Sequence, residues 1–340
     1  MKKIFGLIML SLFFVPTWAQ EVVNNESENF DFVSEELKLN KTFQDAFYPL
    51  TEVERLQANS DFIPALVKFL KHDNSFNYPF KNLEGMSIIA PPDSSFRIFT
   101  WAVPLGDKTD QFVGVTNEDK TRLTELPDNK IIKNDNFKYY GAIQFNMPNL
   151  KLIPLFDKSA DIKNPEDQVL KSDNWFGALY YNITENEYRG TKYYTLFGWD
   201  GNSPTSTIKL VDVLYFDAEQ NAIFGAPIFE VYRDNINLGF KNRMLLQFKK
   251  GAGVALNYFP EREAIVYDFL APEDEKAKGN HEFYIPDGTY EGLKFKDGVW
   301  KYQDKVFFET LNESQLSNVR PDQKRGKKAK KRVKSKYGID

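Results

Sequence analysis

Three aspartates carry the types and positions that acid–base chemistry needs. Asp200, Asp268 and Asp287 lie near aromatic residues at expected strand ends. Two carboxyl groups held about 5–9 Å apart across a cleft suffice for glycoside hydrolysis, one as acid and one as base or nucleophile. With 48 Asp and Glu in the chain, residue type alone does not single out a pair. Asp200-Gly201-Asn202 offers hard oxygens to calcium, but it lacks the Asp-x-Asp-x-Asp-Gly spacing and the downstream bidentate Glu, so it reads as a tight turn. His72 and His281 are the two histidines, and the chain has no cysteine. Thiolate nucleophiles, disulfides, Cys-ligated zinc and a lipidated cysteine are therefore excluded, and no metal or cofactor site is expected. The sequence contains no G-x-S-x-G elbow, P-loop, dinucleotide glycine fingerprint or H-E-x-x-H. His72 falls at a helix end, where an imidazole is favourable, and His281 reads as an exposed loop histidine beside Glu282.

Aromatic residues are abundant: 30 Phe, 17 Tyr and 5 Trp. Phe belongs in the core, whereas Trp101, Trp175, Trp199 and Trp300 have the rings that stack on sugars or peptides. Trp199 beside the Asp200 turn is the one expected within a ligand's reach, so Trp199 and Asp200 are the candidate ligand-binding pair. Strand alternation would also place Trp199 on the face of Phe197, partly buried.

Charge is unevenly distributed. Lys324, Arg325, Lys327, Lys328, Lys330, Lys331, Arg332, Lys334 and Lys336 form a basic run with one apolar residue larger than alanine, Val333. Residues 324–340 carry +8, whereas residues 20–323 hold 33 basic against 47 acidic residues, a net −14. So basic a run cannot bury a core, and residues 320–340 are expected to be a disordered tail. Its chemistry suits anionic envelope polymer or lipid headgroups; a solvated tail touching the acidic body is the plainer alternative.

The N-terminus reads as a secretory signal over residues 1–19. Lys2 and Lys3 precede the apolar stretch Ile4 to Val15, Pro16 breaks it, and Thr17-Trp18-Ala19 places small residues at the cleavage positions. The apolar run is shorter than the 18–20 residues or so that span a bilayer, and no other segment qualifies, so no transmembrane helix is expected in the mature chain. Export disfavours a nucleic-acid partner and implies a periplasmic, outer-membrane-associated or extracellular location.

Residues 20–33 read as a flexible lead-in and 34–75 as a helical segment packed on the body. Thr51-Glu52-Val53-Glu54 fits a capping box. Asp61 reads as a second N-cap, with Pro64 in the tolerant first turn and Phe62, Ile63, Leu66, Val67 and Leu70 on one face. Residues 86–309 have strand texture. Ser95 to Val103 alternates, Phe112 to Val115 does so weakly, and further strands are expected at 138–146, 150–155, 175–183, 191–199, 207–216, 222–230, 243–249, 253–259, 263–269, 289–295 and 299–302. Turn chemistry falls at Asp200-Gly201-Asn202, Asp217-Ala218-Glu219, Pro286-Asp287-Gly288 and Asp297-Gly298, the last making the strongest hairpin. The fold class is mainly β: a short helical N-terminal segment, then an all-antiparallel body. Aromatic-Gly-Ala copies 36 and 48 residues apart leave propeller-like and layered sheets both open.

Asp173-Asn174-Trp175-Phe176-Gly177-Ala178-Leu179-Tyr180-Tyr181 and Tyr193-Tyr194-Thr195-Leu196-Phe197-Gly198-Trp199-Asp200-Gly201-Asn202 resemble uncharacterised exported proteins of Bacteroidetes bacteria. Phe224 to Phe229, Ile265 to Asp268 and Pro286 to Tyr290 continue the likeness, which spans roughly 85–305. The resemblance implies a cell-envelope or extracellular setting and brings no catalytic residues with it. The function expected is a non-catalytic binding module for a glycan or protein ligand, with a carboxylate-dependent glycan hydrolase as the alternative.

Overall fold

The computed structural model describes residues 30–49, 51–106 and 137–304. Helix α1 (Phe32–Asp45) begins inside the expected lead-in, and α2 (Glu52–Leu70) follows. The capping box at Thr51 is formed: its hydroxyl accepts from Glu54 N at 3.3 Å and the Glu54 carboxylate accepts from Thr51 N at 3.4 Å. The second N-cap at Asp61 is not. Helix α2 runs unbroken through it, and Asp61 Oδ1 accepts from Gln57 Nε2 at 3.2 Å. Pro64 inside a helix forgoes a hydrogen bond and costs about 3 kcal/mol. It lies on the solvent face, while burial of Phe62, Leu66 and Phe69 opposite it, at roughly 1.5–3 kcal/mol each, outweighs that loss.

The first sheet contains β1 (Ser87–Ile89), β2 (Phe96–Pro104), β3 (Phe137–Phe145) and β4 (Leu152–Phe156) in sequential order. After it come β5 (Leu170–Lys171), β6 (Leu179–Tyr188), β7 (Thr191–Asp200), β8 (Ser206–Phe216) and β9 (Ala222–Phe224), then β10 (Phe229–Arg233), β11 (Ile236–Lys241) and β12 (Met244–Lys249). The last four are β13 (Leu256–Phe259), β14 (Ala264–Pro272), β15 (Tyr284–Lys296) and β16 (Val299–Gln303). The second sheet is ordered β5-β9-β8-β7-β6, with β12 also paired to β8. The third is ordered β11-β10-β16-β15-β14-β13. Pairing is antiparallel between these strands except for one parallel register, Phe229 opposite Trp300.

These sheets are layered. Leu196 and Leu210 join Phe96, Ile98 and Ile143 in a core between the first and second sheets. Their neighbours Phe197 and Val211 point the other way, into a core with Phe229, Ile265, Leu293 and Trp300 of the third sheet. Successive strand residues face opposite sides, so one apolar strand serves both cores. The remaining face of the first sheet meets α2 and the segment after it, where Trp101 packs edge-on against Phe62 at 5.6 Å and Phe99 against Phe80 at 5.8 Å.

Several expected boundaries move, among them that of the strand expected at 175–183, which runs Leu179–Tyr188. The strand expected at 222–230 splits at Gly225 (φ 98°), where the chain leaves the second sheet for the third. Pro286-Asp287-Gly288 is no chain-reversing turn. It is a bulge inside β15, where pairing jumps from Asp268–Tyr290 to Leu270–Pro286. Asp287 closes it locally by accepting from Thr289 N at 2.8 Å and Thr289 Oγ1 at 2.7 Å. Phe112 to Val115 and the tail 320–340 lie outside the described residues, as does the segment 1–19. No helix among the described residues is long and apolar enough to cross a membrane.

Candidate functional site

Asp200 ends β7 and is buried. Its Oδ1 accepts from Tyr139 Oη and from Asn202 N, both at 2.8 Å, and Gly201 N donates to the same Tyr139 Oη at 2.8 Å. Burial pushes the Asp200 carboxyl up and these donors pull it back. Asn202 takes the left-handed conformation (φ 53°), so Asp200-Gly201-Asn202 is the tight turn its residues imply. Trp199 is half-buried, its ring 5.8 Å from that of Phe137. The other candidate stacking residues are core: Trp101, Trp175 and Trp300 are buried, donating to Asn59 Oδ1 (2.7 Å), Tyr180 Oη (2.9 Å) and Thr195 Oγ1 (3.2 Å).

Asp268 is buried on β14 and accepts from Ala255 N at 2.5 Å, while its own N–H donates to Ala255 O at 3.1 Å. This reciprocal pair ties the chain entering β13 to its neighbour. Asp287 is exposed in the bulge and bonded to Thr289. The three aspartates thus sit in three separate structural roles. The basic candidates Lys324, Arg325, Lys327, Lys328, Lys330, Lys331, Arg332, Lys334 and Lys336 lie outside the described residues.

Of the three aspartates, Asp268 also lines a cavity between the second and third sheets. This cavity has a volume of ≈ 40 Å³, and Arg233, Asp234, Gln247, Tyr267, His281 and Glu291 are among its lining residues. Register dictates part of this lining. Tyr267 of β14 stands opposite Glu291 of β15, so both side chains share the inward face. Glu291 is 9% exposed; burial pushes its carboxyl up, and the Tyr302 hydroxyl, donating to Oε1, pulls it down. Tyr302 stacks on Tyr232 with centroids 4.1 Å apart. The Tyr267 hydroxyl lies beside Glu291, is buried, and makes no hydrogen bond of normal geometry.

An ionic chain closes the other side. Arg233 grips Glu166 with both terminal nitrogens, at 2.9 and 3.2 Å, and donates to Leu245 O at 3.0 Å. Asp234, at the tip of the β10–β11 hairpin, accepts from Tyr284 Oη at 2.9 Å and stands 3.4 Å from His281 Nε2. His281 is therefore half-buried against Tyr284 and Asp234, not an exposed loop residue. Burial lowers its pKa, Arg233 adds to that, and Asp234 opposes it, leaving the imidazole neutral at pH 7.

The chain matches no family model, no curated protein and no solved structure. Its site is accordingly read from its own chemistry. The cavity acids Glu291, Asp234 and Asp268 already accept from Tyr302, from Tyr284 beside His281, and from Ala255 N, respectively. The cavity therefore presents no free pair of carboxylates. Sequence reasoning missed Glu291, though one signal was present: in Tyr290 to Lys296 the inward positions are Glu291, Leu293 and Phe295, an acid in an apolar row.

Beside this cavity the hairpin exposes apolar side chains. Strand β11 is an edge of the third sheet, and its Ile236, Leu238 and Phe240 are 62%, 37% and 48% exposed. The turn residues Asp234 and Asn235 and the later Gly239 have positive φ, at 51°, 63° and 76°. A register shift opposite Gly239 marks a bulge that twists the edge.

Proposed function

We propose that this chain is an exported envelope protein, akin to the Bacteroidetes proteins it resembles. In this reading it acts as a non-catalytic binding module, held to anionic envelope polymer or lipid headgroups by the basic run Lys324 to Lys336. The observation that carries the reading is the β10–β11 hairpin. Three large apolar residues exposed on one short edge strand cost solvation unless a partner covers them. Ile, Leu and Phe lack the polar handle that sugars use, which favours a protein ligand for the body over a glycan.

Sedimentation of the full chain with isolated cell-envelope material tests both parts. Changing the nine basic residues of 324–336 to glutamine should abolish binding that fades with salt. Ile236→Ser with Phe240→Ser should remove any salt-resistant remainder. If neither set of changes alters sedimentation, the reading is wrong.

One observation favours a carboxylate-dependent glycan hydrolase: a buried acid, Glu291, whose carboxyl is pushed up by burial. A partner acid would have to face the same cavity, and of the two there Asp234 already serves Tyr284 and Asp268 the Ala255 amide. Release of reducing sugar that disappears in Glu291→Gln would revive this reading.

A further inference from the structure

We propose that the cavity between the second and third sheets receives a primary ammonium group, the end of a lysine side chain or of a small amine. The inference goes beyond the binding-module reading and depends neither on the basic run nor on the exposed hairpin residues.

Size comes first. At ≈ 40 Å³ the cavity has room for a few water molecules, which suits a head group and is too small for a sugar ring. Charge comes next. Glu291, Asp234 and Asp268 line the space, and the cation there, Arg233, is already matched by a two-point contact with Glu166. His281 adds no positive charge at neutral pH. The tyrosines Tyr232, Tyr267 and Tyr284 also line it, and their ring faces attract a cation.

The independent observation is Tyr267. This residue is 2% exposed, yet its hydroxyl, although beside the Glu291 carboxylate, makes no hydrogen bond of normal geometry, and His281 Nε2 in the same lining reaches only Asp234, at 3.4 Å. Buried polar groups are nearly always paired, so this wall is built for something that completes it. An ammonium carries three donors and no acceptor, and the Glu291 carboxylate and the Tyr267 oxygen are acceptors facing it. Among the described residues no group of three or more His, Asp or Glu is placed to hold a metal ion, which leaves an organic cation as the positive ligand that fits.

Calorimetric titration of the full chain with n-butylamine, and with n-butanol as its neutral counterpart, tests this. Saturable millimolar binding of the amine and none of the alcohol is expected. Glu291→Gln should weaken the amine at least tenfold. Tyr267→Phe, which removes that hydroxyl and little else, should weaken it several-fold while folding normally, and so decides the matter if Glu291→Gln does not fold. Nα-acetyl-lysine amide separates the sources: tighter binding than butylamine means a lysine side chain, and weaker binding means a free amine. Equal binding of alcohol and amine overturns the proposal. So does the absence of saturation at 50 mM, or unchanged amine binding in both variants, in which case the cavity holds water alone.

Discussion

Acids that look reactive by type are mostly held by hydrogen bonds in this molecule. Glu36, fully buried, accepts from Tyr78 Oη, Asn82 N, Asn82 Nδ2 and Leu83 N at 2.7–3.1 Å. Asp212, also fully buried, pairs with Arg243 at 3.0 Å, and removing one partner of such a pair costs about 3–5 kcal/mol. Asp93 is the instructive partly exposed case. Burial pushes its carboxyl up, but Lys192, the Ser95 hydroxyl and N–H, and Tyr194 outweigh it and hold the pKa at about 2, from 3.8. A folded-state pKa below the unfolded one means stability that is complete above pH 4 or so and fades as pH falls towards 2. With the side chain 22% exposed and its lysine 43%, solvent screening limits this to about 1 kcal/mol. Asp93→Asn should therefore lower the urea midpoint at pH 7, and most of the gap to the parent should be gone by pH 2. A gap undiminished at pH 2 would mean that packing, not ionisation, makes the difference.

Glycines at the element scale separate backbone freedom from close packing. Gly298 (φ 83°) completes the two-residue Asp297-Gly298 hairpin, and a Cβ there would lie 2.3 Å from Tyr188 Cδ1. Gly288 (φ 95°) has nothing within 4 Å of that position. Gly288→Ala should lose only the conformational part, about 1 kcal/mol. Gly298→Ala should cost a further 1–3 kcal/mol or so, because the Tyr188 ring has to move. Equal costs by denaturant unfolding would show that the ring yields freely. The hairpin itself was legible because Asp-Gly between alternating runs is local chemistry, and most strand positions were legible through alternation. Strand β11 was missed although Ile236, Leu238 and Phe240 alternate with Asn237, Gly239 and Lys241, because Asn and Gly are poor strand formers and its pairing with β10 comes with a bulge. The fates of Asp200 and Asp268 were illegible for a related reason. Asp200 is held by Tyr139, 61 residues away, and that meeting exists only once the first sheet lies on the second. The cavity, likewise, belongs to no single segment.

Stacking three sheets makes the middle one answerable to both cores. Leu196 and Phe197 are consecutive on β7, yet one packs beneath the first sheet and the other against the third. Neither core can open without exposing a face of the same strands, so the layers should unfold together rather than peel apart. Trp175 reports on the first core and Trp300 on the second. With 5-fluorotryptophan incorporated, both native ¹⁹F signals should vanish at one urea midpoint. Leu196→Ala, costing about 2–5 kcal/mol, and Phe197→Ala, costing about 3–5 kcal/mol, should each move that shared midpoint for both reporters. If Trp300 loses its native signal at lower urea than Trp175, the third sheet is a separate folding unit. The cavity behind it would then lie on a seam that opens independently of the first core.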